Sequence, residues 1–312
     1  MSKGTINIED WVDSRKSARR KSGSVLISLI SDFVVPHGGA ISLGSLVEAG
    51  ACVGVSQQTI RSSVNRLVAD GWLSTESMGR RSICRFSESG MKRYLMASKR
   101  IYQNFNTDWA GEWHMVVANN WMIDPDRYSE QVRDILWSGF GKVSENVFIR
   151  PKLAEKGLCC NWELPEDMPE SMTCFTGIKK QCIPDTAIKA MIQRAWDLET
   201  VNSRYQFFID RYKGLLDTLL KAPAVSGVQA FSIRSLMFHD FRRIRLIDPV
   251  LPAALHTSKW NGDQAFSISQ RLYDLLAHPS EQYIMEVMQG PEGRLPRVKA
   301  WFFDRFGGLA KV

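Results

Sequence analysis

The chain has 312 residues, of which 44% are hydrophobic and 23% charged, a composition that excludes a largely disordered protein and leaves room for two or three domains. Its net charge is +7, and this excess lies in the first hundred residues, where 15 basic residues accompany 8 acidic ones, while the rest carries 25 of each. Localised positive charge is typical of a surface that binds a phosphate backbone, although charge alone is equally compatible with a solvated basic surface.

No stretch of the sequence predicts a membrane span, because the most apolar one, Val25 to Val35, is short and is interrupted by Ser28, Ser31 and Asp32. The N-terminus carries acidic residues and lacks the apolar run of a signal peptide, so we expect a cytoplasmic protein with no membrane partner. Six cysteines without C-x-x-C spacing favour reduced and partly buried thiols over a zinc site.

Two helices are predicted before residue 55. Apolar residues from Val25 to Phe33 recur on one helical face, and Pro36 with the glycines that follow it ends this helix. Leucine and valine residues between Leu43 and Val47 indicate a short second helix, which Gly50 and Gly54 separate from the next one.

A third helix is predicted from Ser56, a suitable N-cap, to Gly71, which ends it. Its apolar residues recur at helical spacing and are expected to face inward: Ile60, Val64, Leu67 and Val68. The outward face then carries polar residues: Gln57, Gln58, Arg61, Ser62 and Asn65.

Two short β-type runs, Trp72 to Thr75 and Ser82 to Phe86, follow the third helix and flank a loop that contains Gly79. The tip of this predicted hairpin carries Arg80 and Arg81. Three helices followed by a hairpin with a basic tip are typical of a winged helix-turn-helix, which we predict over residues 23–100.

Such a helix fits the major groove of DNA, where its first turns reach the base edges, and glutamine or asparagine pairs with adenine while arginine pairs with guanine. The predicted DNA-contacting residues of the third helix are Ser56, Gln57, Gln58, Arg61, Ser62 and Asn65. Further contacts, to phosphates or the minor groove, are expected from Arg80 and Arg81 and from a basic arm over residues 1–22 that includes Arg19, Arg20 and Lys21. Arg66 is left out because it lies beside the inward stripe. The two glutamines could instead be ordinary solvent-exposed residues, and the arm could be disordered.

Behind this region, alternating strand and helix patterns predict a small α+β domain over residues 101–184. Its expected elements are strands near 113–118, 143–149 and 172–178 and a helix opened by Asp124. Residues 185–312 are predicted to be mainly helical, with helices over about 185–221, 227–241, 264–277 and 279–288.

Several stretches carry a family resemblance: Gly38-Gly39, Leu43 to Leu46, Ser56 to Leu73, Met78 to Ser82, Ser87 to Gly90, Trp109 to Trp113, His239 to Ile244, Asp248 to Pro252 and Trp260 to Gly262. Through them the chain resembles, over nearly its whole length, the PaaX-type transcriptional repressors of phenylacetic acid degradation. The resemblance implies a homodimeric repressor that binds a double-stranded DNA operator and is released by phenylacetyl-coenzyme A as effector, without a cofactor.

The resemblance also implies an α+β multidomain fold. Its parts are an N-terminal winged helix-turn-helix, a ferredoxin-like (Cas2-like) middle domain over 101–184, and a mainly α-helical C-terminal domain over 185–312 for effector sensing and dimerisation. Arg242, Arg243 and Arg245 are candidate effector-binding residues, because arginine grips the phosphates of a coenzyme A thioester well. Pairing with Asp240, Asp248 or a partner domain is the alternative.

The sequence contains no catalytic motif of the nucleophile-elbow, phosphate-loop or H-E-x-x-H type, and its five histidines lie far apart. Cas2 relatives can be nucleases, but no paired carboxylates in the middle domain are persuasive, so we expect a non-enzyme. Two alternatives stay open: an acyl-coenzyme A-processing enzyme with an accessory DNA-binding domain, and a non-sensing DNA-binding scaffold that recruits other proteins.

Overall fold

The computed structural model describes residues 6–18, 20–103, 109–119, 124–153, 171–179, 185–221, 225–256 and 259–310. The first hundred residues form α1 (Ile8–Lys16), α2 (Ser22–Leu29), a π-helical turn (Ile30–Val34), β1 (Ala40–Ser42), α3 (Leu43–Cys52), α4 (Gln57–Ala69), β2 (Leu73–Met78), β3 (Arg81–Phe86) and α5 (Glu88–Tyr102). The middle of the chain forms β4 (Trp109–Ala118), α6 (Pro125–Trp137), β5 (Gly141–Ser144), β6 (Val147–Leu153), β7 (Met172–Lys179) and α7 (Asp185–Ala195). The remaining elements are α8 (Leu198–Leu219), α9 (Gly227–Arg245), a 3₁₀ turn (Ala253–Leu255), α10 (Gly262–Val287), β8 (Gln289–Gly290), β9 (Gly293–Arg294) and a 3₁₀ segment (Ala300–Gly307).

The α+β class expected from the sequence is confirmed, and the chain divides into two compact units. The first unit comprises Met1–Gln103, Tyr205–Arg245 and Gly262–Val312, and the second comprises Asn104–Arg204 and Leu246–Asn261. None of the described helices combines the length and the apolarity needed to cross a membrane.

Three predicted helices of the first unit, α2, α3 and α4, are confirmed, and so is the hairpin that follows them. Strands β1, β3 and β2 form an antiparallel sheet in that order. The hairpin strands run further than expected, so that Met78 pairs with Arg81 across a two-residue turn of Gly79 and Arg80. Gly79 has a φ of +60°, a left-handed conformation that glycine adopts without a steric penalty.

Serine caps fix where three of these helices begin. The Oγ of Ser42 accepts a hydrogen bond from the backbone N of Ser45, and Ser56 and Ser87 do the same for the N–H groups three residues ahead of them. Each cap satisfies one of the free N–H groups in the first turn of α3, α4 and α5, as expected from the sequence for Ser56.

Helix α2 forms the centre of the first unit. It is apolar nearly all round, and such a helix is stable only when other elements cover it on several sides. Helix α4 packs on α2 and so does α9, while Phe33 in the π-helical turn meets Phe231 of α9 edge-on, with ring centroids 5.3 Å apart. The N-terminal helices and the C-terminal helices α9 and α10 therefore share one hydrophobic core. This grouping differs from the division expected from the sequence, which placed 23–100 and 185–312 in separate domains.

The second unit is built around an antiparallel sheet in the order β5-β6-β4-β7. Alternate residues of β4 face opposite sides, so that Val116 belongs to the core beneath α6 and Trp113 to the core beneath α7. The predicted strands and the helix opened by Asp124 are confirmed, and Asp124 caps α6 by accepting from the N of Asp126 at 2.9 Å.

Two helix boundaries differ from the prediction. The helix expected over 185–221 is broken at Trp196, because Asp197 starts a new helix by accepting from the N of Thr200 at 3.1 Å. The helices expected over 264–277 and 279–288 form the single helix α10 with Pro279 inside it. Its apolar face stays buried on both sides of the proline, at Leu276 and Ile284, and this packing outweighs the lost hydrogen bond.

Candidate DNA-binding surface

Helix α4 is anchored by its inner face. Ile60, Val64 and Leu67 are buried, as the sequence predicts. A Cβ at Gly50 of α3 would lie 2.5 Å from Cδ1 of Ile60, so only glycine at this position lets the two helices approach so closely. The orientation of the outer face is thereby fixed.

The outer face of α4 is exposed at all six predicted positions: Ser56, Gln57, Gln58, Arg61, Ser62 and Asn65. The hydroxyls of Ser56 and Ser62 both bond Thr59, since Ser56 accepts from its N at 3.3 Å and Ser62 donates to its O at 3.1 Å. The other four side chains form no hydrogen bond or ion pair with any residue that the structure describes. Their donors and acceptors are therefore available to an external partner.

Arg66, which the sequence analysis left out of this set, donates from Nη2 to the Oγ of Ser63 at 3.4 Å, a contact within α4 itself. It is exposed, so this contact is weak.

The hairpin tip presents two uncompensated positive charges. Arg80 and Arg81 are exposed, and no acidic side chain within the described ranges forms an ion pair with either of them. Further down the hairpin, Arg85 donates to Glu76 at 3.0 Å, so the acidic residue of this hairpin is already paired. The tip is therefore the cationic part of the hairpin.

The segment expected as a basic arm is largely ordered. Residues 8–16 form α1, which begins where the Oδ1 of Asn7 accepts from the backbone N of Glu9. Trp11 and Val12 are buried, and the Trp11 ring meets Tyr212 of α8 at 5.6 Å. The segment is helical because its apolar residues find this partner on a helix two hundred residues away.

The three arm residues predicted to contact DNA have different positions. Arg19 lies outside the described residues. Arg20 donates to the carbonyl oxygens of Arg15 at 2.6 Å and Ala18 at 3.3 Å, so its guanidinium caps the C-terminus of α1. Lys21 is exposed immediately before α2. Of these residues, Lys21 is thus the one free to reach a phosphate in this conformation.

The three candidate effector arginines do not form one cluster. Arg242 and Arg245 are buried, and Arg243 on the opposite side of α9 is exposed. Arg245 donates to the carbonyl oxygens of Arg100 at 2.8 Å and Gln103 at 2.9 Å, which ties the end of α9 to the end of α5. The alternative partner Asp240 is paired with Arg211 at 2.5 Å.

A buried polar network, which the sequence analysis did not find, centres on Asp32 in the π-helical turn. Its carboxylate accepts from Arg234 Nε at 3.0 Å, from Tyr273 Oη at 2.6 Å and from Arg305 Nη1 at 3.2 Å. An aspartate in the middle of the most apolar stretch of the chain was the one signal for this network, since a buried carboxylate needs partners.

Arg305 also explains the π-helical turn. Pro36 has no N–H to give the carbonyl of Asp32, and the N–H of Val35 bonds Ile30 five residues back. Arg305 replaces the missing donors by bonding the carbonyl oxygens of Asp32 at 2.7 Å and Ser31 at 3.2 Å.

The network extends through Arg234 to Glu281 and His37. Arg234 Nη1 donates to Glu281 at 2.6 Å, and His37 Nε2 lies 2.7 Å from the other oxygen of the same carboxylate. Although burial raises it, the pKa of Glu281 is lowered to about 2 by Arg234 and by the hydrogen bond from His37. The carboxylate is therefore ionised at neutral pH.

Two cysteines, Cys52 and Cys84, are buried thiols as predicted, and burial raises the pKa of Cys84 to about 11. Cys174 is half-buried, and the other three lie outside the described residues: Cys159, Cys160 and Cys182. Over the part of the chain that the structure describes, no group of three or more His, Cys, Asp or Glu side chains is placed to hold a metal ion.

Comparison with known proteins gives two family matches. Residues 21–90 match the model of the PaaX-like protein, and residues 196–286 match that of the PaaX-like protein C-terminal domain. The chain is also 28% identical over 306 residues to the transcriptional repressor PaaX of Escherichia coli (strain K12), covering 97% of this chain and 95% of that protein. Among solved structures, an uncharacterized protein from Mycobacterium tuberculosis is 20% identical with a TM-score of 0.47, covering 80% of this chain and 94% of its own.

The first family match contains Asp32, and the second contains Arg234 and Tyr273, two of its partners in the buried network. The similarity to the Escherichia coli protein extends over 97% of the chain. The resemblance inferred from the motifs is confirmed. The chain belongs to the PaaX-like protein family and is a homologue of a transcriptional repressor.

Proposed function

We propose that α4 is the recognition helix of a winged helix-turn-helix and that the protein binds operator DNA as a transcriptional repressor. The observation that carries this proposal is the set of exposed side chains on α4 without partners in the described chain: Gln57, Gln58, Arg61 and Asn65. These side chains have the donors and acceptors that read adenine and guanine in the major groove. The relative from Escherichia coli bears the description of a transcriptional repressor, which supports the same reading.

The hairpin would act as the wing. Arg80 in its two-residue turn and Arg81 at the start of β3 lie at the tip of a sheet that includes β1, and arginine binds phosphate well. Because these charges have no acidic partner among the described residues, phosphate contacts need not break an existing ion pair. The wing would therefore add affinity that depends on salt rather than on sequence.

The second unit has features of a ferredoxin-like domain. Its strand order β5-β6-β4-β7 and the helix α6 between its first two strands support that assignment. The connection from β6 to β7 lies outside the described residues, and α7 packs on the face opposite to α6. We assign this unit the role of a scaffold and a dimer interface.

Regulation completes the proposal: the repressor acts as a homodimer and leaves DNA when phenylacetyl-coenzyme A binds. A ligand releases DNA only when it binds the DNA-incompetent state more tightly than the competent one. Two recognition helices in a dimer must lie about one helical turn apart, roughly 34 Å, to read a palindromic site. The effector would change this spacing.

A mobility-shift experiment tests the proposal. The full-length protein is mixed with the promoter DNA of its neighbouring operon, with and without phenylacetyl-coenzyme A, and sedimentation gives its oligomeric state. We expect a dimer, a shifted band that an unrelated DNA of equal length does not give, and loss of that band with the thioester but not with phenylacetate. Equal binding to both DNAs would contradict specific recognition.

The same samples separate the alternatives. Release of free thiol from phenylacetyl-coenzyme A, followed with a thiol reagent, would favour an acyl-coenzyme A-processing enzyme. Specific DNA binding that no concentration of the thioester changes would favour a non-sensing scaffold.

A further inference from the structure

A buried polar site lies between α2 and α9, apart from the Asp32 network. It is formed by Ser28 of α2 and by His239 and Arg242, which are one turn apart on α9. Ser28 Oγ lies 2.9 Å from His239 Nδ1 and 3.5 Å from Arg242 Nη1. The exposed fractions of these residues are 1%, 2% and 7%.

The hydrogen bonds of Ser28 determine which nitrogen of His239 carries the proton. The single hydroxyl hydrogen of Ser28 goes to the carbonyl oxygen of Ser24 at 3.0 Å, so Ser28 must accept from His239. The proton of the neutral imidazole is therefore on Nδ1. Nε2 is left with a buried lone pair that no described residue satisfies. Burial lowers the pKa of His239 to about 4, so the ring is neutral at physiological pH.

Arg242 is a buried cation without a carboxylate. Its one hydrogen bond within the described chain is the contact to Ser28, at the outer limit for such a bond. The nearest acidic residue along the helix, Asp240, accepts from both Arg211 at 2.5 Å and Tyr212 at 2.9 Å. An unpaired charge in the core is destabilising, and such residues are candidates for ligand binding.

Charges of both signs surround the site. After burial, Asp240 has the largest effect on the pKa of His239 and raises it, whereas Arg242, Arg20 and Arg243 lower it. The site thus offers an anion three arginines against one carboxylate that is already paired, together with one buried acceptor that needs a donor.

We propose that this site binds a phosphate group that carries a proton, either inorganic phosphate as HPO₄²⁻ or a phosphomonoester as its monoanion, whose remaining proton has a pKa of about 6 in solution. Its oxygens accept from Arg242, and its P–OH donates to Nε2 of His239. Sulfate has the same shape and charge as HPO₄²⁻ but no proton at neutral pH, so it cannot satisfy His239. The site therefore distinguishes phosphate from sulfate by one hydrogen bond.

Such a ligand would act on the DNA-binding helix through α2. Ser22, at the start of α2, lies 2.6 Å from Ser63 of α4 (Oγ to Oγ), and the anion site lies less than two turns further along α2. This regulatory role depends on the proposed function, in which the effector carries the phosphomonoester of coenzyme A. Binding of phosphate itself does not depend on it.

Calorimetry on the full-length protein without DNA tests the site with inorganic phosphate and with sulfate. We expect phosphate to bind about tenfold more tightly, the factor that corresponds to about 1.4 kcal/mol. Arg242→Met should lose binding of both anions, whereas His239→Leu should bind both about equally. Arg271→Met, at an exposed position of α10, is the matched control and should behave as wild type.

Thermal unfolding distinguishes a ligand role from a structural role for Arg242. Removal of an unpaired buried charge should leave Arg242→Met at least as stable as wild type, whereas an arginine that holds the fold together would lower the melting temperature when replaced. Equal affinity for phosphate and sulfate in wild type, or unchanged phosphate binding in Arg242→Met, would overturn the proposal.

Coenzyme A and dephospho-coenzyme A distinguish the source of the phosphate. Preference for coenzyme A that disappears in Arg242→Met assigns its 3′-phosphomonoester to the site, and no preference assigns the site to free phosphate. If α4 variants still abolish DNA binding while no phosphate binds, this inference fails and the proposed function stands.

Discussion

Asp32 Oδ2 and Arg234 Nε are 3.0 Å apart, and their side chains are 2% and 1% exposed. The pair joins the π-helical turn that follows α2 to helix α9, and so links the two segments that match the family models. Two hundred and two positions separate the partners in sequence, and the ion pair fixes how these segments meet.

Asp32→Asn should destabilise the protein by about 3–5 kcal/mol, because it leaves Arg234 and Arg305 buried with too little negative charge. Thermal unfolding measures the effect. Glu286→Gln, at an exposed position of α10, removes the same charge and should change stability little. Equal melting temperatures for Asp32→Asn and wild type would show that the network is not needed for folding.

Arg61→Ala should weaken operator binding and reduce the discrimination between bases at one position. For a bidentate contact, the loss in binding free energy is about 1–3 kcal/mol. Competition binding with operators mutated at single positions locates that base pair. Arg271→Ala serves as the exposed control. Unchanged affinity and preference would remove Arg61 from the recognition set.

Arg80→Ala should lower affinity about equally for all DNA sequences and reduce the slope of log K against log salt by about 1. The affinity is measured by fluorescence anisotropy over a salt series. Arg80→Lys keeps the charge and should keep the slope. A loss confined to the operator would instead assign Arg80 to base recognition.

Stability should fall as the pH drops from about 6.5 to about 4. Burial lowers the pKa of His239 to about 4, so in this window the unfolded chain binds a proton that the folded chain does not. Through this histidine alone, the free energy of unfolding should change by up to about 1.4 kcal/mol per pH unit. His239→Gln should flatten the pH dependence of unfolding. The variant should still show some pH dependence, because burial also lowers the pKa of His114 to about 4.

Gly54→Ala should destabilise the protein by about 1–3 kcal/mol, because a Cβ there would lie 2.2 Å from the carbonyl oxygen of Lys16 at the end of α1. Gly79→Ala is the control: its φ of +60° is also left-handed, but nothing lies within 4 Å of the added carbon. Thermal unfolding measures both variants. If Gly54→Ala loses no more stability than Gly79→Ala, the packing of α1 does not depend on this close approach.

The amphipathic helix α4 could be predicted in detail because one apolar face and one polar face determine its boundaries and its orientation. The burial of Arg242 and Arg245 was also present in the pattern, since they share a helical face with Phe238 and Phe241. The expectation that Arg242, Arg243 and Arg245 form one cluster weighed their charge above their positions on the helix, since Arg243 lies on the exposed side. The partners of Asp32 could not be predicted, because no local pattern connects residues that lie two hundred positions apart.

The core shared by α2, α9 and α10 has a consequence during synthesis. At about 5–20 residues per second, the ribosome needs roughly 10–50 s after finishing α2 to complete α10. Over that interval the apolar surface of the nascent N-terminal segment lacks its cover, and such exposed surface is prone to aggregate. In a prematurely terminated chain, α4 would consequently lack a stable support.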